Sequence, residues 1–598
     1  MRSIISILLI VLLSLFTFFP SFNLALFGDD WLAFYRYSKI LGPFAQDNSS
    51  THLKYFLTPY GAQDILMGLL QKIYGYQSSL YYLTSYIFRI IAAVSFYPLT
   101  LYLTKSKLAA FFAILFFSIT AIGIDTTNWV FNMPSYITIA LFNLFLYFFL
   151  KSREDKKPKL LLIISGLLYY LAYVITPIRM HGSLLLIFLL ETFWFFQKRD
   201  KKTLKKIILR LTIIILIFLI IRYTGHSQGP PEEISQRLNI GITTDLTMLK
   251  YGRFDFIFYP IVMFGAMFLP DLRSFLLGPD QLLGYSIPTF SYVNLIFIYL
   301  TPAFLGFLLL NFVLMKNISL SSNFFWRNGI AGLLWIIITL LIHQFNATIF
   351  FDEKYILSLT LGGFAIIIIL SLILKFFKEI NITTSLFLSF SWSILAFFFA
   401  WWWVPNTIFP TPYRYFIVSA VGISIFLATI IGLGKNIKQR INIFSFLLIL
   451  VIIHVISTHS YLSQLKDIRS QELYNRVWSQ MPYVPAVGKT SRPIIFYFEG
   501  DGTVANANIL YSVIAFGFPP HMYLLYNLTS DAQIPAIMDT WDEVISAVKD
   551  GKSFKRHIGT AIDPIPIDNV FAYHLEGADR LINITDLARE KLRQTLNN

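Results

Sequence analysis

Apolar residues run along this chain in blocks that are separated by short polar connections. Thirteen blocks are candidate membrane spans: 3–26, 79–103, 108–124, 134–150, 160–178, 183–197, 207–223, 292–314, 329–350, 356–374, 384–404, 415–433 and 443–461. A helix needs about 20 mostly apolar residues to cross the hydrocarbon core, and blocks of this kind predict helices. The connections alternate in charge. Lys105 and Lys107 lie in one, and Lys151, Arg153, Lys156, Lys157 and Lys159 in the next alternate one. Lys198, Arg199, Lys201, Lys202, Lys205 and Lys206 follow, then Lys316 and Arg327, then Lys375 and Lys378, then Lys435, Lys438 and Arg440. All fall on one side, which an excess of Lys and Arg marks as cytoplasmic. The N-terminus is then expected inside and the C-terminal region outside.

Segment 254–269 is apolar but holds Pro260 and is short for a crossing, so an interfacial or re-entrant segment is expected there. The first block has a long apolar core with no clear small-residue cleavage site after it, which favours an uncleaved anchor. The first outer loop, 27–78, is long, and 62–76 reads as an amphipathic helix on the membrane surface. Beyond residue 461 the pattern changes. Pro493–Phe498 and Met522–Tyr526 alternate, and Ile534–Lys549 has a helical period. The expected fold is mainly α: a polytopic bundle of about 13 transmembrane helices over residues 1–461, with a small extracytoplasmic α/β domain over 462–598.

Composition agrees with a bilayer as solvent. Of 598 residues, 56% are hydrophobic and 14% charged, with a mean hydropathy of +0.63. Soluble domains carry about a quarter charged residues. The net charge of +15 belongs to the basic connections, so no nucleic-acid partner is expected. With no cysteine, disulfides and thiolate chemistry are excluded. Phosphate loops, dinucleotide fingerprints and HExxH or GxSxG motifs in context are missing, which argues against ATP-driven transport by this chain alone.

The polar residues on the outer side carry the candidate chemistry. Asp29 and Asp30 stand directly after the first span, within Phe27-Gly28-Asp29-Asp30-Trp31. Adjacent carboxylates repel, which raises one pKa unless a cation compensates, so the pair suits a general base or a metal ligand. Taken alone, two solvated loop aspartates is the plainer reading. Asp125 follows the third span, with Asn128 and Trp129 nearby, and Arg179 and His181 sit in the turn after the fifth. His343, Gln344 and Asn346 end the ninth span; Asp352, Glu353, Lys354 and Tyr355 form the next turn; Tyr413 and Arg414 follow Trp401–Trp403. Trp, Tyr, Lys and Arg favour the interface anyway. Cations are depleted in outer turns, however, which singles out Arg179 and Arg414. Acids and scattered cations on one face suit an anionic, lipid-borne substrate. Inside the spans, Arg89 and Glu191 are either a functional site or a structural ion pair between the second and sixth helices.

This pattern resembles the GT-C membrane glycosyltransferases, which include protein O-mannosyltransferases, the aminoarabinose transferase of lipid A and lipid-linked oligosaccharide glycosyltransferases. Asp29-Asp30 matches the family's acidic position after the first helix, and Asp125 its second acidic position after the third. Asp352-Glu353-Lys354-Tyr355-Ile356-Leu357-Ser358-Leu359 resembles the family's E-R-Y-L-x-L-P-S turn, with Lys for Arg and no proline. The oligosaccharyltransferase WWD signature has no counterpart in the tail. The resemblance, which covers residues 1–460, implies a polyprenyl-phosphate sugar donor and a glycan, lipid or protein acceptor hydroxyl. It further implies inversion at the anomeric carbon, with Asp29 as base and Asp30 and Asp125 orienting the acceptor or holding a divalent metal, which some members use and others do not. Arg179, His181, Lys354, Tyr355 and Arg414 become candidate substrate contacts. The expected location is a bacterial plasma membrane. The competing reading is a transporter or flippase for a lipid-linked or anionic substrate, without chemistry.

Overall fold

The computed structural model describes residues 2–41, 54–58, 60–154, 158–224, 230–270, 291–318, 320–345, 353–401, 416–489, 494–538, 540–551 and 564–597. Among these, nine helices are long and apolar enough to cross a membrane, from Ile5–Asn23 to Ile437–Arg469. Three shorter apolar helices, Lys107–Ile119, Ile380–Ala396 and Ala420–Gly432, fall on the expected spans 108–124, 384–404 and 415–433. The expected span 207–223 lies within the helix Lys201–Thr224. The chain is therefore an integral, multi-pass membrane protein. The outer faces of the helices say the same. On Pro158–Ile175, Leu160, Ile163 and Leu167 recur at helical spacing and are more than half exposed. Water would not tolerate such a stripe, whereas lipid matches it.

Small residues let the helices approach. The eight-residue helix Tyr259–Ala266 lies inside the bundle against Glu353–Lys375, with Val262, Met263 and Phe264 buried. A Cβ on Gly265 would stand 1.7 Å from the Ser358 carbonyl oxygen, and one on Gly362 2.0 Å from that of Ile261. Within segment 254–269 the helix Tyr259–Ala266 is packed in protein while Phe254 and Ile257 stay exposed, as suits a re-entrant segment whose backbone is sheltered where it is buried. The helix Gly61–Tyr74 is amphipathic as expected, but its buried face rests on Asp29–Leu41, where the Tyr37 ring occupies the space that a side chain at Gly68 would need.

The two intramembrane charges do not pair with each other. Glu191 is held by Arg153 at 3.0 Å and Arg210 at 2.9 Å. Arg89, fully buried, donates instead to the carbonyls of Phe117, Ser118 and Thr120 at the end of Lys107–Ile119, and to Thr127 and Tyr136. A cation at a helix C-terminus meets the negative end of its dipole and its unpaired carbonyls. Arg89 thereby caps that helix, which ends at Ile119, earlier than the expected 124, and ties it to the loop that follows.

The basic connections gather at one end of the bundle. Gly432 packs on Thr104, Asn442 donates to Asn317, and Gln197 donates to the Phe377 carbonyl. At the other end the helix Ile437–Arg469 runs on, without a break, beyond the expected boundary at 461. Its 33 residues span about 50 Å, well beyond the hydrocarbon thickness.

The tail holds a four-stranded sheet in the order β2–β1–β3–β4, comprising β1 (Ile495–Gly500), β2 (Ala536–Met538), β3 (Val570–Glu576) and β4 (Arg580–Asn583). β1 is parallel to β2 and β3, and β3 is antiparallel to β4. Alternation sorts its faces. Ile495 and Tyr497 pack toward the helix Trp541–Asp550, while Phe496 and Phe498 face Phe518 and join the core shared with the first outer loop. Met522–Tyr526 is not a strand, because Phe518–Leu525 is a helix. Pro519 and Pro520 occupy its first turn, where the missing N–H costs nothing.

Candidate active site

The end of the bundle opposite the basic connections is built on the corner Phe27–Asp30. Gly28 has φ of +53°, and a Cβ there would lie 1.7 Å from the Phe516 ring, so only glycine fits. Asp29 and Asp30 then open the helix Asp29–Leu41, where N–H groups and the dipole favour carboxylates. The two acids part company at once. Asp30 is fully buried and accepts from the backbone N–H of Phe27 and of Phe131, both at 2.8 Å. Burial pushes its pKa up to about 7, against the pull of those two N–H groups and of Arg469, while Asp29 adds a smaller upward push. Asp29 is half-buried.

Residues 125–132 pack against this corner. Asp125, also half-buried, accepts from the Tyr461 hydroxyl at 2.9 Å. The Asn128 carbonyl accepts from Arg469 at 2.8 Å and from Tyr82 at 3.1 Å, and Asn132 accepts from Arg179 at 3.2 Å. The Arg469 guanidinium also lies 4.5 Å over the Phe27 ring. Arg36 lies on the same helix as the two acids. It forms a two-pronged bond to the buried Asp64, each prong 2.8 Å, lies over Tyr60 and Phe131, and feels the field of Asp29.

Around this corner, buried polar atoms stand without protein partners: both amide atoms of Asn128, Nε1 of Trp129 and Nε of Arg469. Buried polar groups are ordinarily satisfied, so such a cluster marks a place where something else supplies the bonds.

The structure thus brings Asp29, Asp30, Asp125 and Arg179 to one end of the bundle, on a shared scaffold. His181 is half-buried nearby in sequence and meets the Tyr173 hydroxyl at 2.8 Å. Tyr355 is buried in the bundle core with Ile356 and Leu359. The Lys354 side chain and Arg414 lie outside the described residues. For a divalent ion, Asp29 and Asp125 are half-buried carboxylates at this end, and among the described residues no three His, Asp or Glu side chains converge. Two carboxylates are a sparse set for a hard cation that takes six oxygens, so water and substrate phosphate would have to complete it.

The tail closes over the corner. His521 stacks on Trp31 at 3.9 Å and meets the Tyr474 hydroxyl at 2.9 Å, and burial lowers its pKa to about 3, which leaves the ring neutral. Asp531 accepts from the Tyr35 hydroxyl at 2.5 Å and pairs with Lys39. Arg36, Asp64, Arg469 and Tyr461 went unmarked in the sequence. The two arginines had a signal, since they are cations in outer segments, the criterion that singled out Arg179.

No family model matches the chain, and no curated protein matches it. Among solved structures, the archaeal oligosaccharyltransferase AglB from Archaeoglobus fulgidus, in complex with an inhibitory peptide and a dolichol-phosphate, is similar over 85% of this chain and 63% of its own, at 14% identity and a TM-score of 0.37. The apo form of the Archaeoglobus fulgidus oligosaccharyltransferase matches over the same shares, at 14% identity and a TM-score of 0.39. ArnT from Cupriavidus metallidurans in the apo state is similar over 96% of this chain and 93% of its own, at 11% identity and a TM-score of 0.33. The chain spans 63% of the oligosaccharyltransferase length in these matches.

Proposed function

We propose that this chain is an integral membrane glycosyltransferase that moves a sugar from a polyprenyl-phosphate donor to an acceptor hydroxyl, with Asp29 as general base. The observation that carries this reading is the division of labour at the corner: Asp30 is a fully buried brace, while its neighbour Asp29 is only half-buried, at the end of the bundle where Asn128, Trp129 and Arg469 hold buried polar atoms without protein partners. Asp29 takes the proton of the acceptor hydroxyl as its oxygen attacks the anomeric carbon. The bond from that carbon to the phosphate oxygen breaks on the opposite face, which inverts the centre. The polyprenyl phosphate leaves as an anion. Arg179, bonded to the neutral Asn132 side chain, and the earlier candidates His181, Lys354 and Arg414 are the groups assigned to meet it, whereas Arg36 is neutralised by Asp64 and Tyr355 is buried in the bundle core. Asn128 and Trp129 supply unpaired bonding capacity to the sugar or acceptor, and Asp125 orients the hydroxyl.

The test is transfer by purified protein from a radiolabelled polyprenyl-phosphate sugar pool to endogenous or added acceptors. Asp29→Asn keeps size and polarity but cannot accept the proton. It is expected to lower the rate by about 10²–10⁴. Wild-type protein that binds such lipids but never releases sugar would support the flippase reading instead.

A further inference from the structure

At the end of the bundle opposite Asp29, a cavity of about 260 Å³ lies among the basic connections. Its charged lining is Arg153, Lys198, Lys202 and Lys206 against Glu154 and Asp200. The carboxylates are exposed, and Asp200 is already engaged in capping the helix that follows, accepting from Thr203 N and Oγ1 at 2.7 Å. The positive side is built in more deeply. Arg153 and Arg210 share the single buried Glu191, so that buried trio carries one positive charge in excess. An uncompensated charge in a low-dielectric interior is costly until an anion approaches.

Two further features point to a ligand. Arg153 is 6% exposed, and its Nε has no partner. Thr384, 2% exposed, lines the same cavity with its hydroxyl unpartnered. Both residues line the one cavity, and each carries buried donor capacity that the protein does not use. That space sits at the ends of membrane helices, among the Lys/Arg-rich connections.

We propose that this cavity binds a phosphate-bearing anion, the headgroup of an anionic phospholipid, through Arg153, Thr384 and the three lysines. Basic pockets between membrane helices on the Lys/Arg-rich side suit such headgroups. The site is separate from the Asp29 corner and does not depend on the glycosyltransferase reading.

The experiment uses the full chain, purified in neutral detergent and stripped of lipid. Phosphatidylglycerol, phosphatidylcholine or inorganic phosphate is then added. Retention is read by native mass spectrometry and the unfolding temperature by a thermal ramp. Phosphatidylglycerol is expected to be retained at least tenfold over phosphatidylcholine and to raise the unfolding temperature. A matching temperature rise with inorganic phosphate alone would assign the site to the free ion, still a phosphate site. Lys198→Gln with Lys202→Gln is expected to lower phosphatidylglycerol retention about tenfold, and Thr384→Val, nearly isosteric, several-fold. Lys201→Gln with Lys205→Gln removes the same charge outside the cavity and should leave retention unchanged. The proposal is overturned if neither anion binds, or if the two double variants lose retention equally.

Discussion

At the scale of single residues, Asp29 and Asp30 make opposite predictions. Asn at 30 would offer one acceptor oxygen where the carboxylate offers two. One of the N–H groups of Phe27 and Phe131 would then face an amide donor, and a buried unmade bond costs about 1–3 kcal/mol. Asp30→Asn should therefore lower the unfolding temperature, while Asp29→Asn should leave it unchanged and lose transfer. Calorimetry of the two variants beside the transfer assay separates them, and the reverse pattern would exchange their roles. Asp30 also sets a pH dependence. Its folded pKa, about 7, lies above the ordinary 3.8, so between these values the folded state holds more protons than the unfolded one. Stability from this group is then greatest below about pH 4 and falls as pH rises to about 7, by at most about 1.4 kcal/mol per unit. Above that it is flat. Unfolding temperatures measured from pH 5 to 8 should show this slope in the wild type and less of it in Asp30→Asn. The acidic pair stood out in the sequence, but its division did not. Which neighbour turns inward depends on Phe131, a backbone donor 101 positions away, and an N–H leaves no mark in a sequence.

At the scale of elements, the corner and the tail are latched by shape. Gly28→Ala would place a methyl group inside the Phe516 ring and force a side chain into left-handed backbone, which alone costs about 1 kcal/mol or more. Phe516→Ala opens that space. The double variant should regain part of what Gly28→Ala loses, read as unfolding temperature and as resistance of the tail to protease. Strict additivity would mean that the ring and the glycine do not act on each other. The spans were legible because a run of about 20 apolar residues is a signal at one scale, independent of partners. Arg89 was visible as a buried charge, but its partners are mostly carbonyls, so a carboxylate seemed the natural mate. Glu191 was likewise visible, but of its two arginines, 38 and 19 positions away, Arg153 lies in a connection where basic residues already had a topological explanation, and Arg210 lies inside the expected span 207–223, where one charge in an apolar run was masked by the basic connection before it. In Met522–Tyr526 the apolar alternation hid the start signal supplied by the two prolines before it.

At the scale of the whole molecule, the protein is polarised. The basic connections collect at one end, where each Lys or Arg near an anionic membrane surface contributes about 1 kcal/mol. Cations at the other end are committed locally: Arg36 to Asp64, Arg179 to Asn132, and Arg469 to Asn128 and the Phe27 ring. Sidedness should therefore be set by the basic end, leaving Asp29, Asp125 and the tail on the extracytoplasmic face. The absence of cysteine makes this directly measurable. Leu587, exposed on the last helix of the tail, and Lys201, exposed at the basic end, can each be replaced by cysteine without disturbing a buried contact. In intact cells a membrane-impermeant maleimide should label Leu587→Cys, and should reach Lys201→Cys only after permeabilisation. The inverse labelling would put Asp29 on the cytoplasmic face. A base there would face acceptors on the wrong side, and both the orientation and the proposed extracytoplasmic transfer would fall together.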